Sequence, residues 1–482
     1  MSGISKDVLV GIVGAGTMGM GIAQVAAAAG HGVRLYDAAD GGAERGLQRL
    51  SEDLAALVGK GKLGEEAAGN LLARIVPVSD LADLAPSKFV VEAVVEQLDI
   101  KQKLFAALEA IVGNRAVLAT NTSSISITAI GSALKHPERF VGMHFFNPAP
   151  VMKLIEIVSG LATDSETADI VHATATDWGK VAVHTKSTPG FIVNRVARAF
   201  YGEPMRLLEE GVASAETLDT LLKHGGGFRM GPFELMDLIG NDVNLAVSRS
   251  IFEAFFHEPR FRPSLMQQEL VSSGRLGRKS GTGWYDYSVS KRPAEPEMVP
   301  GAAAWPDISL ETDCVRDGLL VTRTDGRTAA ERQTAASGQP VIVHDLYNGR
   351  PGRGHLGFAA SPSVSAAHKQ VFADAIRVRG IRPVELPDWP GLVVLRTLAL
   401  IANEGFEAVL QGVSDEAGID AAMVYGVNYP KGPIAWAREV GVDHIEATLV
   451  NLQRLTGDTR YRPSLRLRLE ASLLPGGNAA SH

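Results

Sequence analysis

Residues 8–19 read Val8-Leu9-Val10-Gly11-Ile12-Val13-Gly14-Ala15-Gly16-Thr17-Met18-Gly19, and this stretch decides the fold. Its first six residues form a continuous apolar run, the pattern of a strand buried on both faces of a parallel sheet. A glycine-rich turn follows and opens an Ala-rich helix over 17–29, which Gly30 ends. In such a turn Gly14 permits the bend, Gly16 lets backbone approach a pyrophosphate, and Gly19 lets helix and strand pack closely. The helix N-terminus, with Thr17 and Met18, then presents unpaired amides and a positive dipole end to phosphate. A glycine pattern alone is only a turn. The strand before it and the helix after it make it a dinucleotide signature. Asp37 ends the next strand, Val33–Asp37, where a carboxylate accepts the ribose hydroxyls. Its charge would repel a 2′-phosphate, so NAD is expected over NADP. The plain alternative for Asp37 is a solvated acid at a strand end.

Outward from this stretch, residues 8–188 alternate short apolar strands with helical segments, as in a parallel sheet wrapped by helices. Phe89–Ala93, Ala116–Thr120, 140–146 and 153–158 are the further candidate strands. An α/β Rossmann-type NAD-binding domain is therefore expected over 1–188. After Pro189 the chain turns to long amphipathic helices, and these repeat. Gly190-Phe191-Ile192-Val193-Asn194-Arg195 returns as Gly391-Leu392-Val393-Val394-Leu395-Arg396. In the same register Glu203 maps to Glu404, Gly211 to Gly412, Asp219 to Asp420 and Gly231-Pro232 to Gly432-Pro433. An all-α domain over 189–287, duplicated over 389–482, follows from the repeat. Between the copies, 288–388 opens with a Pro- and Ala-rich linker. Later pieces, 318–321 and 340–343, read as strands and 364–378 as a helix, so a small α/β piece without a phosphate loop is expected there.

Composition excludes several function classes. The 482 residues are 45% hydrophobic and 21% charged, with a formal net charge of −7. No global field draws such a chain to nucleic acid or anionic lipid. No apolar run approaches the ~20 residues that span a bilayer. Cys314 is the lone cysteine, which excludes an internal disulfide and a cysteine-based metal site. No metal, nucleic acid or membrane partner is expected. Because the N-terminus passes at once into a strand, no signal peptide is expected either, and the default setting is cytoplasmic.

The candidate catalytic pair is His144 and Glu156. His144 sits in Val141-Gly142-Met143-His144-Phe145-Phe146-Asn147-Pro148, and Glu156 in the apolar strand Lys153–Val158. Alone, a histidine among apolar residues is more often a satisfied core residue than a catalyst, and Glu156 poses the same question. A buried carboxylate is costly unless paired, and antiparallel strands joined around Asn147–Val151 could set the two side by side. Asn121-Thr122-Ser123-Ser124 follows a strand end, where open α/β sheets bind ligands; the alternative is a helix N-cap, which Ser124 could provide. Asn194 stands where the second copy has Leu395. The helical fold tolerates an apolar residue there, which shifts Asn194 towards function.

Together the segments Ala119–Ser126, His144–Pro148 and Pro189–Arg195 resemble the 3-hydroxyacyl-CoA dehydrogenase family, over nearly the whole chain. The resemblance implies an NAD-dependent oxidation of a 3-hydroxyacyl-CoA thioester to the 3-oxo thioester, with His144 as general base and Glu156 as its partner. It further implies that Ser123, Asn194 and Asn147 contact substrate. Glu96, Lys101 and Asn121 would line the nicotinamide side, and Lys60 and Lys62 would meet the CoA nucleotide. Within the family, the two-copy layout resembles the bacterial enzymes of phenylacetate catabolism, which implies 3-hydroxyadipyl-CoA as substrate. A 3-hydroxybutyryl-CoA dehydrogenase of short-chain fatty-acid metabolism is the alternative, and a non-catalytic NAD-binding protein a further one. A homo-dimer through the helical domains is expected. One departure is Pro204, which should kink the helix that follows Asn194.

Overall fold

A computed structural model describes residues 2–288, 305, 308–349 and 354–473. Compactness divides the chain into Met1–Val193 with Gly412–Val427, and Asn194–Gln411 with Asn428–His482. The α/β piece joins the helices in the second unit, and the second helical copy gives one segment to the first. The Pro-rich linker lies mostly outside the described residues.

The first unit runs β1 (Val10–Val13), α1 (Thr17–Ala28), β2 (Val33–Tyr36), α2 (Gly42–Gly59), α3 (Glu65–Ala73) and β3 (Ile75–Val78). It continues with β4 (Phe89–Glu92), α4 (Leu98–Ile111), β5 (Val117–Thr120), α5 (Ile127–Gly131) and β6 (Phe140–Phe145). Then come β7 (Leu154–Ser159), α6 (Ser165–Asp177) and β8 (Val181–Lys186). The strands form one sheet in the order β3-β2-β1-β4-β5-β6-β7-β8. All neighbours are parallel except β6 and β7. Strands β1, β4, β5 and β6 are buried throughout, because apolar layers cover both faces. Ile12, Leu35, Val91 and Met143 face one layer, and Val13, Val90, Leu118 and Phe140 the other. Chain order reverses between β1 and β4, which opens the ligand crevice at their carboxyl ends. At the far edge, the Lys186 amide donates to the Val413 carbonyl (2.9 Å) and the Ser414 hydroxyl to the His184 carbonyl (2.6 Å). These bonds occupy part of an otherwise unpaired strand edge.

The second unit opens in α7 (Val193–Val196) and continues with α8 (Arg198–Glu209), α9 (Ala215–Thr220), α10 (Pro232–Ile239), α11 (Asn241–Ala254) and α12 (Leu265–Ser272). A five-stranded sheet follows, built from β9 (Cys314–Arg316), β10 (Leu319–Arg323), β11 (Val341–His344), β12 (Gly354–Ala360) and β13 (Ile381–Glu385). Its helices are α13 (Ala329–Ala335) and α14 (Ala366–Val378). The chain ends in α15 (Val394–Leu410), α16 (Glu416–Val427, which belongs to the first unit), α17 (Pro433–Val440), α18 (Val442–Thr456) and α19 (Leu465–Ser472). Helix α8 runs unbroken through Pro204.

Backbone geometry follows the sequence repeat residue by residue. Gly190 and Gly391 both have φ 74°, and the Phe191 and Leu392 after them are left-handed as well, at 49° and 53°. Gly240 and Gly441 match at 105° and 109°. Between α7–α8 and the paired α15 the ion pairs are reciprocal. Arg195 Nε meets Glu404 at 2.6 Å and Arg396 Nε meets Glu203 at 2.5 Å, all four side chains buried. This exchange of equivalent partners is the signature of a self-complementary, two-fold type of contact, here within one chain.

The repeat extends further than the sequence reading placed it. Strands β10 to β13 pair parallel, antiparallel, parallel, the same sequence of pairings as β5 to β8. Helices α13 and α14 interrupt them where α5 and α6 do. The strands from Leu319 to Glu385 thus carry the pairing order of the second half of the first sheet. Opposite His344 on β12 stands Phe358, whereas opposite His144 on β7 stands Glu156.

Candidate active site

The glycine turn meets its three requirements separately. Gly14 takes φ +102°, and a Cβ there would come within 2.6 Å of the Ala93 carbonyl oxygen. A Cβ on Gly19 would overlap the Gly14 carbonyl. Around Gly16 nothing lies within 4 Å, so its bareness serves approach from outside rather than packing. Gly16 is also the N-cap of α1 and supplies no side-chain cap, which leaves the first-turn amides at Thr17 and Met18 to a ligand. Beyond the turn, Asp37 Oδ2 accepts the Ala15 amide (2.7 Å) and Oδ1 the Ala39 amide (2.9 Å). An open phosphate cradle with a carboxylate fixed beside it fits a dinucleotide.

Antiparallel pairing of β6 and β7 sets His144 directly opposite Glu156. Imidazole Nδ1 lies 2.7 Å from Glu156 Oε2, with His144 5% and Glu156 0% exposed. The other carboxylate oxygen accepts the amides of Ile192 (2.9 Å) and Val193 (3.0 Å). Rings of Phe146 and Phe191 lie 4.6 and 5.6 Å from the imidazole. A carboxylate in this position accepts, so Nδ1 carries the hydrogen and Nε2 keeps its lone pair. That is the tautomer a general base needs.

Next to this pair, Asn121 Oδ1 accepts the Phe145 amide (2.8 Å), tying the end of β5 to the residue after His144. Glu96 gathers the following loop: its Oε1 accepts the Thr122 hydroxyl (2.6 Å), the Ser123 amide (2.9 Å) and the Ser124 hydroxyl (3.0 Å). Burial would raise the Glu96 carboxyl, but the Thr122 hydroxyl, the Lys101 ammonium and the two serines outweigh it and hold it below its ordinary value. Ser123 is exposed, with its hydroxyl 3.4 Å from Glu96. Helix α5 is capped by Ser126, whose hydroxyl accepts the Ala129 amide, so Ser124 is not the cap.

Lys101 is 1% exposed and closes on Glu92 (2.6 Å) and Glu96 (3.4 Å), so it reaches a ligand only through Glu96. Glu92, which the sequence reading missed, also accepts the Thr120 hydroxyl (2.6 Å). Its signal was a carboxylate ending the apolar run Phe89–Glu92, the same anomaly that singled out Glu156. Asn147 is exposed after β6, and Lys60 and Lys62 are exposed after α2. Asn194 is half-buried in α7 and belongs to the second unit.

Residues 9–188 match the model of the 3-hydroxyacyl-CoA dehydrogenase NAD-binding domain, and 190–287 and 391–476 each match that of the family's C-terminal domain. The chain belongs to the 3-hydroxyacyl-CoA dehydrogenase family. It is an NAD-dependent oxidoreductase. A 3-hydroxyadipyl-CoA dehydrogenase of Escherichia coli (strain K12) is 45% identical over 475 residues, covering 97% of this chain and 98% of that one. A crystal structure of 3-hydroxybutyryl-CoA dehydrogenase from E. coli K12 matches with a TM-score of 0.92 at 42% identity, covering 98% and 99% of the two chains. A probable 3-hydroxybutyryl-CoA dehydrogenase of Bacillus subtilis (strain 168) is 41% identical over 57% of this dehydrogenase and 96% of its own length. Among the described residues no helix is long and apolar enough to cross a membrane, and no group of His, Cys, Asp or Glu could hold a metal.

Proposed function

We propose that this dehydrogenase oxidises 3-hydroxyadipyl-CoA, a step of phenylacetate catabolism, with His144 as the general base. The observation that carries the base is the 2.7 Å bond from Nδ1 to Glu156, which leaves Nε2 to take the proton of the substrate's 3-hydroxyl. Bound NAD supplies the hydride acceptor. As the proton arrives, Glu156 stabilises the imidazolium across that same bond; in the reverse direction His144 returns the proton to the ketone oxygen. Base catalysis of this kind contributes ~10²–10⁴ in rate, and alignment much of the rest. Ser123, held by Glu96, together with Asn194 and Asn147, orients the hydroxyl and thioester. Asn121 and Glu96, the latter set by Lys101, border the nicotinamide side. Lys60 and Lys62 contact the CoA nucleotide.

Support for the dicarboxylic substrate is the end-to-end likeness to the E. coli 3-hydroxyadipyl-CoA dehydrogenase. Relatives acting on 3-hydroxybutyryl-CoA include single-copy chains that span 57–58% of this one. The test is NADH formation with 3-hydroxyadipyl-CoA and 3-hydroxybutyryl-CoA side by side. A kcat/KM at least tenfold higher for the dicarboxylic thioester is expected; preference for the butyryl thioester overturns the assignment. A cytoplasmic setting, to which the lone Cys314 is suited, belongs to the same reading. A homo-dimer through the helical domains stays part of it for those faces that the pairing of α8 with α15 leaves free.

A further inference from the structure

Five arginines are almost fully buried among the described residues: Arg139, Arg195, Arg198, Arg396 and Arg460. Four of them face a carboxylate. Arg139 has Glu109 at 3.7 Å, Arg195 has Glu404, Arg396 has Glu203, and Arg460 has Asp458 at 3.1 Å. Arg198 has none. Its Nε donates to the Asn194 carbonyl (2.9 Å), and its Nη1 to the Ser248 hydroxyl (2.9 Å) and weakly to the Asn244 carbonyl (3.5 Å). Nη2 donates to no described group. Glu203 and Glu404, the acids nearest in the sequence pattern, are already held by Arg396 and Arg195.

An uncompensated buried guanidinium is expensive to keep, and burial pulls the Arg198 pKa down, with only the hydroxyls of Tyr201 and Tyr429 acting against it. Around it the surroundings are aromatic. The guanidinium carbon sits 4.8 Å from the Tyr201 ring centroid, and the Tyr429 ring packs on Phe200 and Phe228. Tyr429 is 5% exposed, and its hydroxyl is buried without a hydrogen-bond partner. A cation lacking an anion and a hydroxyl lacking a partner thus stand in one buried aromatic cluster, linked through Tyr201 and Phe200. Each lacks what a carboxylate brings.

We propose that Arg198 and the Tyr429 hydroxyl form the seat for the distal carboxylate of a dicarboxylic acyl thioester, with the Tyr201 ring as the platform beneath the guanidinium. This rests on the reading that Asn194 meets the reacting end of the substrate. Arg198 begins α8 four residues on from Asn194 in α7, with Ala197 between them in a right-handed helical conformation, a rise of about 6 Å matched to a chain whose carboxylate lies three carbons beyond C3. With Nε and Nη1 engaged, the free N–H groups of Nη2 are left to make a charge-assisted contact with a carboxylate. The second helical copy then has a task in substrate choice, because Tyr429 comes from its Val427-Asn428-Tyr429-Pro430 segment.

The test compares 3-hydroxyadipyl-CoA with 3-hydroxyhexanoyl-CoA, which has the same chain length and ends in a methyl group. The readout is the ratio of the two kcat/KM values. In Arg198→Met this ratio should fall about 100-fold, in line with loss of a charge-assisted contact, and mainly through the KM of the dicarboxylic substrate. Tyr429→Phe removes a hydroxyl that bonds nothing in the protein, so it should fold normally and lower the ratio several-fold. Should Arg198→Met fail to fold, Arg198→Lys, which keeps the charge without the fork, carries the test beside Tyr429→Phe with an intermediate fall expected. Equal loss on both substrates, or an unchanged ratio in the folded variants, overturns the seat and leaves Arg198 a structural tie. A wild-type enzyme with no preference for the dicarboxylic thioester overturns the proposed substrate together with it.

Discussion

Glu156 does two jobs with one carboxylate: one oxygen fixes the His144 tautomer and the other accepts the Ile192 and Val193 amides. Glu156→Gln separates them. Its carbonyl oxygen can still accept the two amides, while its NH₂ turned to Nδ1 forces the hydrogen onto Nε2, where the base's lone pair belongs. The variant should fold normally and lose about 10³–10⁴ in kcat, read by steady-state NADH formation; wild-type kcat would mean that the tautomer is set otherwise. Asp37→Ala should weaken NAD binding about tenfold and loosen its preference over NADP, read by titration of both; unchanged NAD affinity would remove Asp37 from the ribose. Both residues were legible in the sequence because a charge in an apolar strand, or at its end after a glycine turn, demands a reason. What the sequence does not show is the partner of Lys101: only the fold reveals that α4 presses it onto Glu92.

At the scale of elements, the β6–β7 register decides whether the site exists. A slip of one residue would send His144 and Glu156 to opposite faces. Parallel strands and the helical repeat could be read from hydrophobic runs and recurring motifs. The likeness of β10–β13 to β5–β8 could not, because it survives in pairing order and not in residues: Phe358 stands where Glu156 would be. The reciprocal ion pairs were half legible, since Arg195, Glu203, Arg396 and Glu404 all sit in register in the repeat, but nothing in sequence says which partner each chooses. Arg195→Ala leaves Glu404 buried beside Arg260 alone and should lower the unfolding free energy by about 3–5 kcal/mol. Urea denaturation measures this, and a change under 1 kcal/mol would show the pair to be immaterial.

For the molecule as a whole, the second sheet sets an acid limit. Burial pushes His344 down to about 4 from its ordinary 6.5, so the folded protein holds it neutral while the unfolded chain takes up a proton. A depressed histidine contributes stability that is present above pH 6.5 and lost as pH falls towards 4. Up to about 3 kcal/mol is at stake. Its neighbour Asp345 is pushed by burial up to about 6, against four backbone amides that lower it, and it acts in the opposite sense over the same window. The informative comparison is therefore His344→Gln against wild type: the variant should lose less stability between pH 7 and pH 4.5, and parallel losses would contradict the assignment.

The account stands most directly on His144. In His144→Gln, NADH formation from the preferred thioester should fall by at least about 10²-fold, while NADH affinity, read by fluorescence titration, stays within twofold because the imidazole plays no part in the phosphate cradle. Wild-type kcat in that variant would contradict the mechanism, and loss of NADH binding would mean that the residue shapes the cofactor site instead of serving as the base.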